Sequence, residues 1–166
     1  MQREILTAIG DALVGRGWKL ATAESCTGGL VAHWITSQPG CSGWFCGGVV
    51  AYADTTKTAL LGVPDGMILS DGAVSASVAI AMAEGACQQI PEADIAVSLT
   101  GIAGPGGGQP GKPVGLVYVS VATVYGAARS QKLLFAGTRA EIQIAAGNAA
   151  LEMVYNVLCD DCISRL

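Results

Sequence analysis

Trp18-Lys19-Leu20-Ala21-Thr22-Ala23-Glu24-Ser25-Cys26-Thr27-Gly28-Gly29-Leu30-Val31-Ala32-His33-Trp34-Ile35 places an apolar run, a small polar turn and a helical pattern in succession. Trp18 to Ala23 reads as a short strand, and Glu24 to Gly29 as a turn. Leu30, Val31, Trp34 and Ile35 share a helical face that ends before Pro39-Gly40. Strand, turn and helix in that order form the unit of α/β domains. Upstream, Ile5, Leu6, Ile9, Ala12 and Leu13 repeat at helical spacing, and Gly15 and Gly17 close that helix. Downstream, Gly47 to Ala53 predicts a second strand and Thr55 to Leu61 a short helix stopped by Gly62 and Pro64. A longer helix runs to Gln89 with Ser75 as its N-cap. Ile95 to Thr100 predicts a third strand, and a loop from Gly101 to Gly111 holds six glycines and two prolines. Gly115 to Val124 and Arg129 to Phe135 read as a strand pair turning at Tyr125-Gly126, and Thr138 to Leu158 as a last helix. The expected architecture is one α/β domain over residues 1–166, a three-layer α/β/α sandwich around a mixed, mostly parallel sheet.

Hydrophobic residues make up 51% of the chain and charged residues 13%, where globular proteins carry about a quarter charged. Such a composition excludes a disordered chain. The mean hydropathy is +0.49, yet the longest unbroken apolar and glycine run, Gly43 to Ala53, is 11 residues. A membrane-spanning helix needs about 20. The surplus apolar surface therefore points to a homodimer or higher homo-oligomer, with no membrane partner. A net charge of −4 and nine scattered Lys and Arg residues argue against nucleic acid, which calls for clustered cations; one small phosphate stays compatible. Met1-Gln2-Arg3-Glu4 opens an amphipathic pattern and no signal peptide. A cytoplasmic protein with reduced thiols is expected. Cys159-Asp160-Asp161-Cys162 is a CxxC, but with no second pair and a single histidine, His33, no metal site is expected.

Open α/β sheets bind ligands beyond the carboxyl ends of their strands. Three segments follow predicted strands: Ala23 to Gly29, Tyr52 to Lys57, and Thr100 to Gly108. They are expected to converge. A chain with one histidine is poorly equipped for a Ser-His-Asp triad. A serine at a strand-to-helix turn, Ser25, with a neutral lysine, Lys57, as its base is the alternative, and Tyr52 is placed to assist. Desolvation among apolar neighbours would favour the neutral amine, and the rate would then fall at acid pH. The same residues read equally as a helix cap, a solvated helix lysine and a strand-end aromatic. Ser42 is a second-choice nucleophile or binding hydroxyl that reads more simply as a turn cap. Trp34, Trp44 and Phe45 are expected in the core or a subunit interface.

The runs Ala21 to Leu30 (ATAESCTGGL), Val49 to Val63 (VVAYADTTKTALLGV), Gly72 to Ser75 (GAVS) and Ser98 to Val119 (SLTGIAGPGGGQPGKPVGLVYV) resemble the CinA C-terminal domain family over nearly the whole chain. That family includes stand-alone nicotinamide-nucleotide amidohydrolases. The resemblance implies hydrolysis of the carboxamide of nicotinamide mononucleotide by a Ser–Lys mechanism without metal or cofactor. On matching positions it implies Ser25 as nucleophile, Lys57 as base and Tyr52 as helper. Backbone of Cys26, Thr27, Gly28 and Gly29 would supply part of an oxyanion hole, and Thr100, Gly101, Ala103 and Gly104 would line the nucleotide pocket. Longer CinA proteins carry a further N-terminal domain, for which 166 residues leave no room. Family members often show Gly-Asp-Arg and then Val-Arg at the start of the last helix. Here Gly137-Thr138-Arg139 and Gln143 stand there, so Arg139 would hold a phosphate with less help. The alternatives are a catalytically silent nucleotide-binding module and an amidase acting on a different amide.

Overall fold

The computed structural model describes residues 2–160. Its order is α1 (Gln2–Arg16), β1 (Leu20–Glu24), α2 (Leu30–Thr36), a 3-10 turn (Cys41–Gly43), β2 (Phe45–Val50), α3 (Asp54–Leu61), α4 (Asp65–Asp71), α5 (Ala76–Gln89), β3 (Ile95–Gly101), β4 (Leu116–Thr123), β5 (Ala128–Leu134) and α6 (Arg139–Cys159). The five strands form one sheet in the order β2-β1-β3-β4-β5. β2, β1 and β3 pair in parallel, whereas β4 runs antiparallel to both β3 and β5. Four strands therefore point one way and β4 the other, in the expected three-layer sandwich.

Strand alternation sorts the two faces by size. On one face Leu20, Ile95, Val97, Leu99, Val117, Val119 and Val121 pack against α1, α2 and α6. On the other, Ala21, Ala23, Ala96 and Ala122 meet α5 through Val78, Met82 and Ala86. Small side chains on that face admit α5 at close range. Gly85 then lies against the end of α3, where an added Cβ would stand 1.9 Å from the Leu61 carbonyl oxygen. The tryptophans settle in the domain itself: Trp44 lies over Gly10 of α1, and Trp34 over Gly147 of α6. Ser75 caps α5 as expected, accepting from the Val78 amide. Thr138 and Glu141 close a capping box on α6.

Two elements depart from the sequence reading. β2 spans Phe45–Val50 instead of residues 47–53, because Leu20 pairs with Phe45 and Ala21 with Gly47, leaving Cys46 as an extra residue in the ladder. α4, seven residues with no buried side chain, was not expected after Gly62 and Pro64. No helix among the described residues is long and apolar enough to cross a membrane. Cys162 of the CxxC lies outside the described residues; Cys159 is exposed at the end of α6.

Gly85→Ala tests the close packing of α5. Its methyl group cannot fit beside a backbone oxygen without moving a helix, so a loss of about 2 kcal/mol or more is expected in denaturant unfolding. Unchanged stability would contradict this packing.

Candidate functional site

The parallel registers bring three strand ends to one level: Glu24 of β1 stands opposite Val50 of β2 and Leu99 of β3. The segments that follow them enclose a cavity of about 260 Å³. Ser25 and Cys26 line it from the first loop, Tyr52, Asp54 and Lys57 from the second, and residues of Thr100 to Gly107 from the third. Ala73 and Val74 form another wall, and Arg139 reaches in from the start of α6. The expected convergence is met.

The Ser25 turn is tied on three sides. Its amide donates to Leu99 O at 2.9 Å. Gln143 of α6 donates its Nε2 to Cys26 O at 2.7 Å. Glu24, at 1% exposure, lies beneath. Its Oε2 accepts from Thr27 Oγ1 at 2.7 Å and from the Gly29 and Val31 amides at 3.1 Å each, and its Oε1 accepts from the Ala32 amide at 2.8 Å. The protein's own carboxylate thus sits at the α2 N-terminus, where unpaired amides and the helix dipole favour negative charge. Gly29 must turn with φ +98° to deliver its amide there, a conformation open mainly to glycine.

This arrangement corrects part of the expected oxyanion hole. The Gly28 amide donates to Ser25 O and the Gly29 amide to Glu24, while Thr27 directs its hydroxyl to the same carboxylate. None of the three lines the cavity; Cys26 does. Burial pushes the Cys26 thiol up to about 12, so at neutral pH it is a protonated wall of the pocket and no competitor of Ser25 as nucleophile. Ser25 Oγ has no protein hydrogen-bond partner among the described residues.

Lys57, 2% exposed, is the largest buried polar side chain of the site. Its surroundings differ from the expected apolar pocket: Nζ donates to Tyr52 O at 3.2 Å and lies 3.1 Å from Asp54 Oδ1. The Tyr52 ring is 61% exposed, and its hydroxyl meets Arg139 at 3.4 Å instead of Ser25 or Lys57. Arg139 also donates to Gly104 O at 2.9 Å. Thr100 lines the pocket but gives its hydroxyl to Ala73 O at 2.8 Å, fastening two walls together.

Ser42 is excluded from the site. It lies in the 3-10 turn before β2, and the residue that closes this turn, Trp44, accepts from the Leu20 amide. That is the amino end of β1, about 13 Å along the strand from Glu24. His33 is exposed on α2. No group of three His, Cys, Asp or Glu side chains among the described residues is arranged to hold a metal.

Sequence reasoning gave no role to Glu24 or Asp54, although both carried signals. Glu24 precedes a Gly-Gly helix start, and Asp54 stands three residues before Lys57. Gln143, weighed only as a missing phosphate ligand, serves the turn.

Residues 2–158 match the model of the CinA C-terminal domain family. The chain is 46% identical over 153 residues to a CinA-like protein of Desulfotalea psychrophila, which covers 92% of this chain and 37% of the relative. It is 47% identical over 150 residues to a CinA-like protein of Mycolicibacterium vanbaalenii, covering 90% and 35%. The chain therefore spans little more than a third of the length of these curated relatives. The crystal structure of the competence/damage inducible protein CihA from Agrobacterium tumefaciens superposes with a TM-score of 0.91 at 38% identity, covering 96% of both chains. That of a competence damage-inducible protein from Klebsiella pneumoniae gives 0.90 at 32% identity, covering 95% of this chain and 96% of that one.

Glu24→Gln exchanges one acceptor oxygen for a donor facing helix amides. An unfolding free energy lower by about 2–3 kcal/mol is expected from chemical denaturation. A loss within measurement error would show that the carboxylate does not hold the turn.

Proposed function

The chain belongs to the CinA C-terminal domain family, and from that premise we propose that it hydrolyses the carboxamide of nicotinamide mononucleotide to nicotinic acid mononucleotide and ammonia. The observation that carries this reading is the meeting, in one small cavity, of an unpartnered serine hydroxyl and a buried lysine amine. A binding module has no use for that pair.

An aromatic carboxamide is a weak electrophile with a poor leaving group, so attack needs an activated oxygen and departure needs a protonated nitrogen. Ser25 Oγ attacks the amide carbon while Lys57, acting in its deprotonated form, takes its proton. The tetrahedral oxyanion collapses, Lys57 returns the proton to nitrogen, and ammonia leaves a nicotinic acid mononucleotide acyl group esterified to Ser25. Water then attacks the ester while Lys57 accepts its proton, and as the second tetrahedral intermediate collapses Lys57 returns that proton to Ser25 Oγ and the acid is released. The Cys26 amide, next after the nucleophile in a residue that lines the cavity, is the donor we assign to the developing oxyanion.

Arg139 grips the phosphate. Two of its N–H groups hold Gly104 O and the Tyr52 hydroxyl, and a guanidinium has five. The remaining donors are available to an anion in the cavity that Arg139 lines, and phosphate oxygens are strong acceptors for a guanidinium. Tyr52 serves the reaction by orienting this guanidinium and bordering the ring.

Purified protein is expected to release ammonia from nicotinamide mononucleotide. Ser25→Ala and Lys57→Ala should each lower kcat by roughly a thousandfold or more with little change in affinity. Arg139→Ala should act mainly on KM. Tyr52→Phe should cost less than either catalytic substitution. Ammonia release by Ser25→Ala at the wild-type rate would sink the assignment, as would no release by the wild type.

A further inference from the structure

Asp54 lines the cavity and stands at the first position of α3, one turn before Lys57. An acid there is ordinary, since it favours the helix dipole, but its direction is not: Oδ1 is turned 3.1 Å from the buried amine. A neutral amine carries two N–H bonds and one lone pair in a tetrahedral array. Two acceptors, Asp54 Oδ1 and Tyr52 O, take positions for the two N–H bonds. No third acceptor meets Nζ among the described residues. Lys57 and Ser25 line the same cavity, toward which a lone pair on Nζ has to turn to receive the Ser25 proton.

We propose that Asp54 is the positioning residue of the Ser25–Lys57 pair, fixing the Lys57 lone pair toward the cavity and balancing the ammonium charge formed when Lys57 accepts the Ser25 proton. The inference rests on the Ser–Lys reading above. The proton moves from Ser25 Oγ to Lys57 Nζ, the serine oxygen keeps the electron pair for its bond to carbon, and the Asp54 carboxylate stays ionised throughout. The third member of a hydrolase triad acts in this manner toward its histidine. Here the supporting pair comes from the base's own segment, Tyr52 to Lys57, so one short stretch of chain carries the base and both groups that aim it.

The test is the rate at which a fluorophosphonate reagent labels Ser25, followed by peptide mass spectrometry on the full chain, with thermal unfolding as a control. The reagent reports nucleophile activation whatever amide is the natural substrate. Asp54→Ala is expected to slow labelling roughly a hundredfold, the scale of a general-base contribution. Asp54→Asn keeps an acceptor oxygen but not the charge, and should fall between Asp54→Ala and the wild type. In a Lys57→Ala background, Asp54→Ala should slow labelling no further, because the carboxylate acts only through the amine. A helix-stabilising acid would instead lower the unfolding temperature and leave the labelling rate unchanged. Wild-type labelling by Asp54→Ala, or an equal slowing with and without Lys57, overturns the proposal alone. Failure of the wild type to be labelled at Ser25 overturns the Ser–Lys reading and the proposal with it.

Discussion

The site depends on a buried negative charge that touches no substrate. Glu24 ends β1 with its carboxylate inside the protein, where an unpaired charge would be very costly. Three backbone amides and the Thr27 hydroxyl at the start of α2 make it tolerable. In satisfying that charge, the chain must fold the Ser25–Gly29 turn around it. The turn therefore has one shape, with its amides directed inward and its serine at the cavity. Many α/β proteins leave the helix N-terminus open to bind a ligand anion; here a side chain occupies it, and the guanidinium that reaches the cavity is that of Arg139 on another helix.

Around that clamp, the parallel registers act as a ruler. Because Glu24 lies level with Val50 and Leu99, the loops after three strands open at the same height. The Ala51 amide donates to Glu24 O and the Ser25 amide to Leu99 O, so each neighbouring chain is pinned as it leaves the sheet. The faces of the sheet divide the labour. Large aliphatics toward α1 and α6 bury most of the apolar surface, and the alanine face lets α5 approach. Backbone placement by many small packing terms is what lets a few polar contacts at the cavity be directional.

The fold was legible to the extent that it is periodic. Apolar runs and helical stripes marked five strands and five of the six helices, with Ser75 and the glycine punctuation setting their ends. α4 was not legible because it buries no side chain fully: only Met67 and Ile68 of Asp65 to Asp71 pack, half-buried, against the core beside α5. The early start of β2 was hidden because a ladder irregularity at Cys46 is a property of two strands together. In the site, Ser25, Lys57 and Thr100 were placed from the segments that follow predicted strands and Arg139 from the family resemblance, and Ser42 was misjudged because nothing local says at which end of a strand a loop falls. Gln143 is the clearest limit. Its neighbour Cys26 is far away in sequence, and only the packing of α2 on α6 brings them together.

In the proposed reaction Glu24, beneath the cavity, shapes the turn, while Ser25 supplies the oxygen, Lys57 moves the proton and Arg139 faces the anion. Central to all of this is a covalent bond between Ser25 and the acyl group. Rapid acid quenching of the protein during turnover of nicotinamide mononucleotide, followed by peptide mass spectrometry, tests it most directly. The account predicts one nicotinic acid mononucleotide acyl group, ribose phosphate included, esterified to Ser25, and a mass gain on a different residue, or turnover with no acylated peptide at any time, would contradict it.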